Sequence, residues 1–173
     1  MSGRSNIIQK ARDLDTDLGK DQIHSARILK RLQRLEHDGY HFEAAEASLE
    51  LLIKRMMKKF KDFFEIKSFE VSSAKNKGGR MVSNASVLLK VGKVAERTSS
   101  AGDGPVNALD GALRKALKKF YPNIARMHLT DYKVRVLDEK QGTAAKVRVL
   151  IQSQDEDDSW WTIGVSENII DAS

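Results

Sequence analysis

Apolar residues recur at three- and four-residue intervals through the first third of the chain, and at two-residue intervals through most of the rest. Ile23, Ala26, Ile28, Leu29, Leu32 and Leu35 lie along one side of a predicted helix that stops at Gly39. A second helix is predicted over Glu43 to Lys61, with Ala47, Leu51, Ile53 and Met57 as core positions. Asp21 and Asp38 precede these segments as cap or turn residues. From Ile66 the period changes to two. Phe69 and Val71 alternate with polar neighbours, Ala85, Val87, Leu89 and Val91 form one face of a second strand, and residues 93–100 form a third. After Gly104 the helical period returns, with Val106, Leu109, Ala112, Leu113, Ala116, Leu117 and Phe120 on one stripe. Three more strands follow, around Tyr132–Val136, Val147–Ile151 and Trp160–Val165, the last after the acidic turn at residues 155–158.

A repeat underlies the second part. Phe69 matches Tyr132, Val71 matches Val134 and Gly79 matches Gly142, each 63 residues on, while Gly102 and Gly164 are 62 apart. The fold class is therefore α+β. A helical linker over residues 1–62 precedes a domain over residues 63–173, which holds two βββα repeats at 66–120 and 126–173. The last helix reads as truncated. Residues 166–173 supply about two turns, too few to cover a sheet, and predict a chain that continues past Ser173.

The 173 residues and 40% hydrophobic content allow a substantial core. No cysteine is present, which excludes disulfides and Cys-based zinc sites and fits a cytoplasmic chain. No apolar run approaches the roughly 18 residues of a membrane helix, and the first six residues lack the apolar region of a signal peptide. A membrane is not expected as a partner. The net charge of +6 raises the alternative of a small basic nucleic-acid-binding module. Its densest clusters, Lys54, Arg55, Lys58, Lys59 and Lys61, and Arg114, Lys115, Lys118 and Lys119, read instead as solvated helix faces, so nucleic acid is not the expected partner.

No active site is legible, so no catalytic residue and no metal site is assigned. His37 and His41 are four apart, but Gly39 interrupts the helix that would align them. Asp13, Asp15, Asp17 and Gly19 suggest a calcium loop, yet the position needing glutamate is His24. Binding is better supported, at Gly102-Asp103-Gly104-Pro105-Val106-Asn107. There a strand ends in a glycine turn and proline opens a helix. The unpartnered N–H groups of a helix start favour an anionic group.

The string Gly102 to Leu109 resembles the start of the first regulatory helix in the 2-isopropylmalate synthase and citramalate synthase family. Ser2 to Ile7, Leu35 to Ser48, Asp131 to Val136 and Gly164 to Ile170 extend the resemblance. Leu35 to Ser48 looks like the citramalate-type linker. The resemblance implies a regulatory fragment of an acyltransferase that condenses acetyl-coenzyme A with pyruvate, in isoleucine synthesis. The N-terminal catalytic barrel and its divalent metal would lie outside this chain, and no cofactor is expected in the fragment. It implies a homodimer that binds isoleucine or another branched-chain amino acid at the dimer interface. Gly102, Asp103, Gly104, Val106 and Asn107 would hold the amino-acid backbone. Leu129, Tyr132, Val136 and Val147 would line the side-chain pocket, with Thr143 nearby. A leucine-binding domain of the isopropylmalate type is the alternative. The Gly39–Tyr40 joint is a candidate hinge between barrel and sensor.

Overall fold

A computed structural model describes residues 22–137, 142 and 144–173, with the side chains of residues 22–25 outside the description. The candidate calcium-loop aspartates, the side chains of Ile23 and His24, and Thr143 therefore lie outside the described residues. In chain order the elements are α1 (Gln22–His37), a 3-10 turn (Phe42–Ala44), α2 (Glu46–Met56), β1 (Glu65–Lys75), β2 (Met81–Val91), β3 (Val94–Gly102), α3 (Pro105–Leu117), a second 3-10 turn (Pro122–Ala125), β4 (His128–Val136), β5 (Val147–Gln154), β6 (Ser159–Ser166) and α4 (Ile169–Ala172). The strands form two three-stranded sheets, ordered β1-β2-β3 and β4-β5-β6. This is the expected α+β class. The elements divide between two compact units, one of Asp62–His128 and one joining the described residues up to Lys61 with Leu129–Ser173.

In the Asp62–His128 unit, β2 pairs antiparallel with β1 and β3. Ala85, Val87 and Leu89 alternate onto the side that α3 covers, and Leu89 is 0% exposed. The predicted stripe on α3 is rotated toward its smallest residues. Ala108, Ala112, Ala116 and Leu117 are buried, whereas Val106, Leu109 and Leu113 are half-buried. Small side chains bring the helix close to the sheet. A Cβ at Gly111 would lie 2.6 Å from Ser100 Oγ, and Thr98 Oγ1 donates to the Ala112 carbonyl at 2.6 Å. Arg114 ties the helix to the following turn, donating to the carbonyls of Met127 at 2.6 Å and Ile124 at 3.3 Å.

In the other unit, α1 and α2 form a hairpin around Ile28, Leu32, Leu35, Phe42, Leu49 and Ile53. The second predicted helix begins later than expected, because residues 42–44 form a 3-10 turn and Ala45 is non-helical. Its core stripe runs through Leu49 and Ile53, with Leu51 exposed and Ala47 half-buried. Leu51 is two residues from both core positions, which places it on the opposite side of a helix with 3.6 residues per turn. On α1, Ala26 is exposed for the same reason. Ile163 of β6 packs against this helical core. On the other side of the sheet, α4 lies so close to β6 that a Cβ at Gly164 would be 2.0 Å from the Ala172 carbonyl oxygen. Gly79 and Gly142, matched by the repeat, both have positive φ, +80° and +57°.

Candidate effector site

The loop that joins β3 to α3 separates the roles of its two glycines. A Cβ at Gly102 would lie 2.4 Å from Asn107 Oδ1 and 2.6 Å from the Ala108 amide nitrogen. Glycine is required there by the close approach of the helix. Gly104 is different. Its backbone is extended, with φ −155° and ψ 167°, and an added Cβ would meet nothing within 4 Å. Internal packing thus gives no reason for glycine at that position. Gly104 is the N-cap of α3 and, lacking a side chain, provides no cap, while Pro105 opens the helix. Asn107 is already engaged, since its Oδ1 accepts the Asp103 N–H at 3.3 Å. Asp103 and Asn107 are exposed, and Gly102, Gly104 and Val106 half-buried. A 13-residue helix with an uncapped start suits a carboxylate.

The proposed pocket residues belong to the other unit. Tyr132 is half-buried, and its hydroxyl lies 2.7 Å from Ser173 Oγ, beside α4. Strand alternation sets Val134 and Val136 on the same face as Tyr132. Val147 joins them, because Val149 pairs with Gly164, the residue pressed against Ala172. Leu129 is 49% exposed, and Asp131 and Lys133 fall by alternation on the face opposite Tyr132. The structure therefore groups Tyr132, Val136 and Val147 on one face. On that opposite face Lys133 pairs with Asp131 at 2.7 Å and lies 4.5 Å over the Trp161 ring. The Lys133 hydrogen bond holds the Asp131 carboxyl below its ordinary value.

The second repeat closes the position that the first leaves open. Asn168 caps α4, its Oδ1 accepting the Ile170 N–H at 2.8 Å, and its own N–H donates to Ser166 Oγ at 3.1 Å.

Periodicity does not single out Arg148. It stands between Val147 and Val149 and reads as a solvent-facing strand residue, yet it is 8% exposed and its Nε donates to the Gly39 carbonyl at 2.6 Å. Burial, with Arg135 nearby, pulls its guanidinium below the ordinary value. Ser48 is a second such residue, its Oγ accepting the Ile163 N–H at 3.0 Å. Among the described residues no group of three or more His, Asp or Glu side chains is placed to hold a metal ion, and no helix is long and apolar enough to cross a membrane.

The chain is 48% identical over its whole length to an (R)-citramalate synthase of Aquifex aeolicus (strain VF5), matching 33% of that protein. It is equally similar, at 48% over its whole length and 33% of the relative, to an (R)-citramalate synthase of Geobacter sulfurreducens. A 2-isopropylmalate synthase of Methanocaldococcus jannaschii is 27% identical over 99% of this chain and 32% of its own length. The chain thus spans about a third of the length of the curated relatives it matches. Residues 43–173, which hold α2, both sheets, the Gly102–Asn107 loop and the Tyr132 face, match a single family description, and the chain belongs to that family, the LeuA allosteric (dimerisation) domain.

Proposed function

We propose that this chain is the linker and feedback-regulatory part of a citramalate synthase, that it acts as a homodimer, and that it binds isoleucine. The parent reaction joins acetyl-coenzyme A and pyruvate on a catalytic part that precedes this chain, in the cytoplasm. The observation that carries the effector reading is the open start of α3. An extended glycine with free space around it, an uncapped helix and a flanking half-buried Val106 suit the carboxylate of an amino acid. Tyr132, Val136 and Val147 offer apolar surface for a branched side chain. The high identity to two citramalate synthases supports the parent activity.

Exposed apolar residues support the homodimer. Phe69, opposite Val87 in the register, and Ile66, opposite Leu89, lie on the helix-covered side of the first sheet yet stay 42% and 47% exposed. Val134 and Val136 are similarly bare on the α4 side of the second, at 42% and 45% exposed. A self-complementary interface would cover them. The similarity to 2-isopropylmalate synthases favours leucine as a second reading of the ligand. Titration calorimetry with isoleucine, leucine and valine separates the two. Isoleucine should give the tightest binding, and one methyl position is worth only about 1–3 kcal/mol of discrimination. Absence of heat from all three would end the effector reading, and tightest binding of leucine would replace isoleucine.

A further inference from the structure

The joint between the two linker helices is held on every side that the structure describes. Gly39 ends α1 with φ +107°. Its N–H donates to the Glu36 carbonyl at 3.1 Å, and the Tyr40 N–H reaches the Leu35 carbonyl at 2.9 Å. This is the paired closure of a left-handed helix end. Tyr40 then stacks on Phe42 with ring centroids 5.7 Å apart. On the open side of Gly39, Leu137 fills the space, so that a Cβ would meet its Cδ1 at 2.2 Å. The remaining polar group, the Gly39 carbonyl, accepts from the buried Arg148 of β5. Nine residues further along the chain, Ser48 of α2 takes the Ile163 N–H of β6, an edge strand.

We infer that the Gly39–Tyr40 joint is a clamp and not a free hinge. Arg148 and Ser48 fasten the helical hairpin to β5 and β6, so that hairpin and sheet open as one unit and Arg148 carries changes in the sheet to the linker. A buried guanidinium hydrogen-bonded to a carbonyl is costly to break, because opening leaves a buried charge without its acceptor unless the whole contact separates. Neither partner is interchangeable. Lysine at 148 lacks the planar Nε–H, and any side chain at 39 collides with Leu137. The clamp itself does not depend on a ligand, but its use in relaying effector state rests on the reading proposed above.

Hydrogen exchange on the chain as it stands tests both parts. In the unaltered protein, α2 and β5–β6 amides should open with a common free energy, as one cooperative unit. In Arg148→Met, α2 and residues 40–45 should exchange about tenfold faster relative to β5, the loss of one charge-assisted hydrogen bond. Arg148→Lys should fall between the two, and β2 amides of the Asp62–His128 unit should not change. If Arg148→Met does not fold, Ser48→Ala should give the same separation at smaller size. The clamp is wrong if α2 already exchanges tenfold faster than β5–β6 in the unaltered protein, or if the variants leave their ratio unchanged. For the relay, isoleucine should slow exchange in α2 of the unaltered protein, and Arg148→Met should bind isoleucine with similar heat while losing that slowing. Retained slowing in the variant would remove Arg148 from the relay. No heat in the unaltered protein would end the effector reading and the relay together, leaving the ligand-free exchange result to judge the clamp.

Discussion

The two sheets have the same strand order and the same βββα plan, yet they are covered in opposite ways. The first has a 13-residue helix on one side. Its register places Ser68, Glu70 and Ser72 of β1, Asn84 and Ser86 of β2, and Arg97 and Ser99 of β3 on the other, which no described element of the Asp62–His128 unit covers. The second sheet has only the four residues of α4 on the corresponding side. Its other face, with Arg148, Ile163 and Trp161, receives the linker hairpin. Duplication thus preserved the sheet and let the covering diverge. One repeat keeps a mostly polar outer face, with Leu88 and Val82 among its polar residues, and a long helix. The other turns the equivalent face into a docking surface for a segment 109 to 115 residues earlier in the chain. The helix starts diverge with it, Gly104 uncapped in the first and Asn168 a side-chain cap in the second.

The largest test of this contrast compares the two faces of β2. Leu89 is fully buried beneath α3. Leu89→Ala should cost about 2–5 kcal/mol by chemical denaturation, through lost transfer energy and an unfilled cavity. Ser86→Ala, on the polar face, should stay within about 0.5 kcal/mol. Comparable losses for both would mean that the outer face is covered after all. The same logic reaches the second sheet, where Ile163→Ala should destabilise the linker hairpin together with β6.

Close approach of helix to sheet comes next in size. Gly102→Ala and Gly164→Ala each drive a Cβ into neighbouring backbone. Each should cost about 1–3 kcal/mol, in the range of an overpacked core. Gly104→Ala should cost less, about 0.5–1 kcal/mol, since its backbone is extended and its surroundings are open, leaving only alanine's poorer N-cap preference. If the loop binds a carboxylate, that same substitution should weaken isoleucine binding in calorimetry with the fold intact. Equal stability losses at Gly102 and Gly104 would erase the distinction between packing glycine and ligand glycine.

Much of this architecture was legible in the chain. Period-two alternation identified Ala85, Val87 and Leu89 correctly, because a strand's two faces differ by simple parity. The repeat was visible in glycines that turns and close contacts demand. Helix stripes were read less well. On α2 the pattern predicts Ala47, Leu51, Ile53 and Met57 as core; the helix does bury Ile53, with Met57 packed beside it, but adds Leu49 in place of Ala47 and Leu51, since a run rich in alanine and leucine fits several rotations about the axis. Alternation also misled at Arg148. A charge in an alternating strand normally marks the solvent side, and nothing in the local pattern signals that a helix from far away covers that side. The turn at Gly102–Gly104 and the helix start at Pro105 rest on local turn chemistry and were readable. The pocket half depends on strand parity, which sets Tyr132 and Val136 on one face.

A cap comparison isolates the two helix starts. Asn168→Ala removes the Oδ1 that accepts the Ile170 N–H and should cost about 0.5–2 kcal/mol. The reciprocal change, Gly104→Asp, should stabilise α3 modestly, by up to about 1 kcal/mol, through a new cap and the helix dipole. It should also repel a bound carboxylate. A gain in stability with unchanged isoleucine affinity would place the ligand elsewhere.

The smallest effect lies in the first strand of each sheet, β1 and β4, each of which carries an acid two residues before a lysine. Glu65 pairs with Lys67 at 2.6 Å on β1, and Asp131 with Lys133 at 2.7 Å on β4. In both cases the lysine hydrogen bond is the main cause of a lowered carboxyl pKa. The sign follows from linkage. A carboxyl whose folded value lies below its unfolded value contributes stability above the unfolded value, and that contribution is lost as pH falls through the folded one. Both pairs should therefore weaken the fold only under acid conditions, below the ordinary values of 4.5 for Glu65 and 3.8 for Asp131. Both are solvent-exposed, so salt should suppress the effect. The strands differ in what else holds the lysine. Lys133 also sits over Trp161, which fixes its position beside Asp131. Trp161→Ala should consequently raise the Asp131 pKa in a carbon-detected NMR titration and leave Glu65 where it was. Movement of both groups, or of neither, would show that the aromatic ring does not organise the second sheet's outer charge pair.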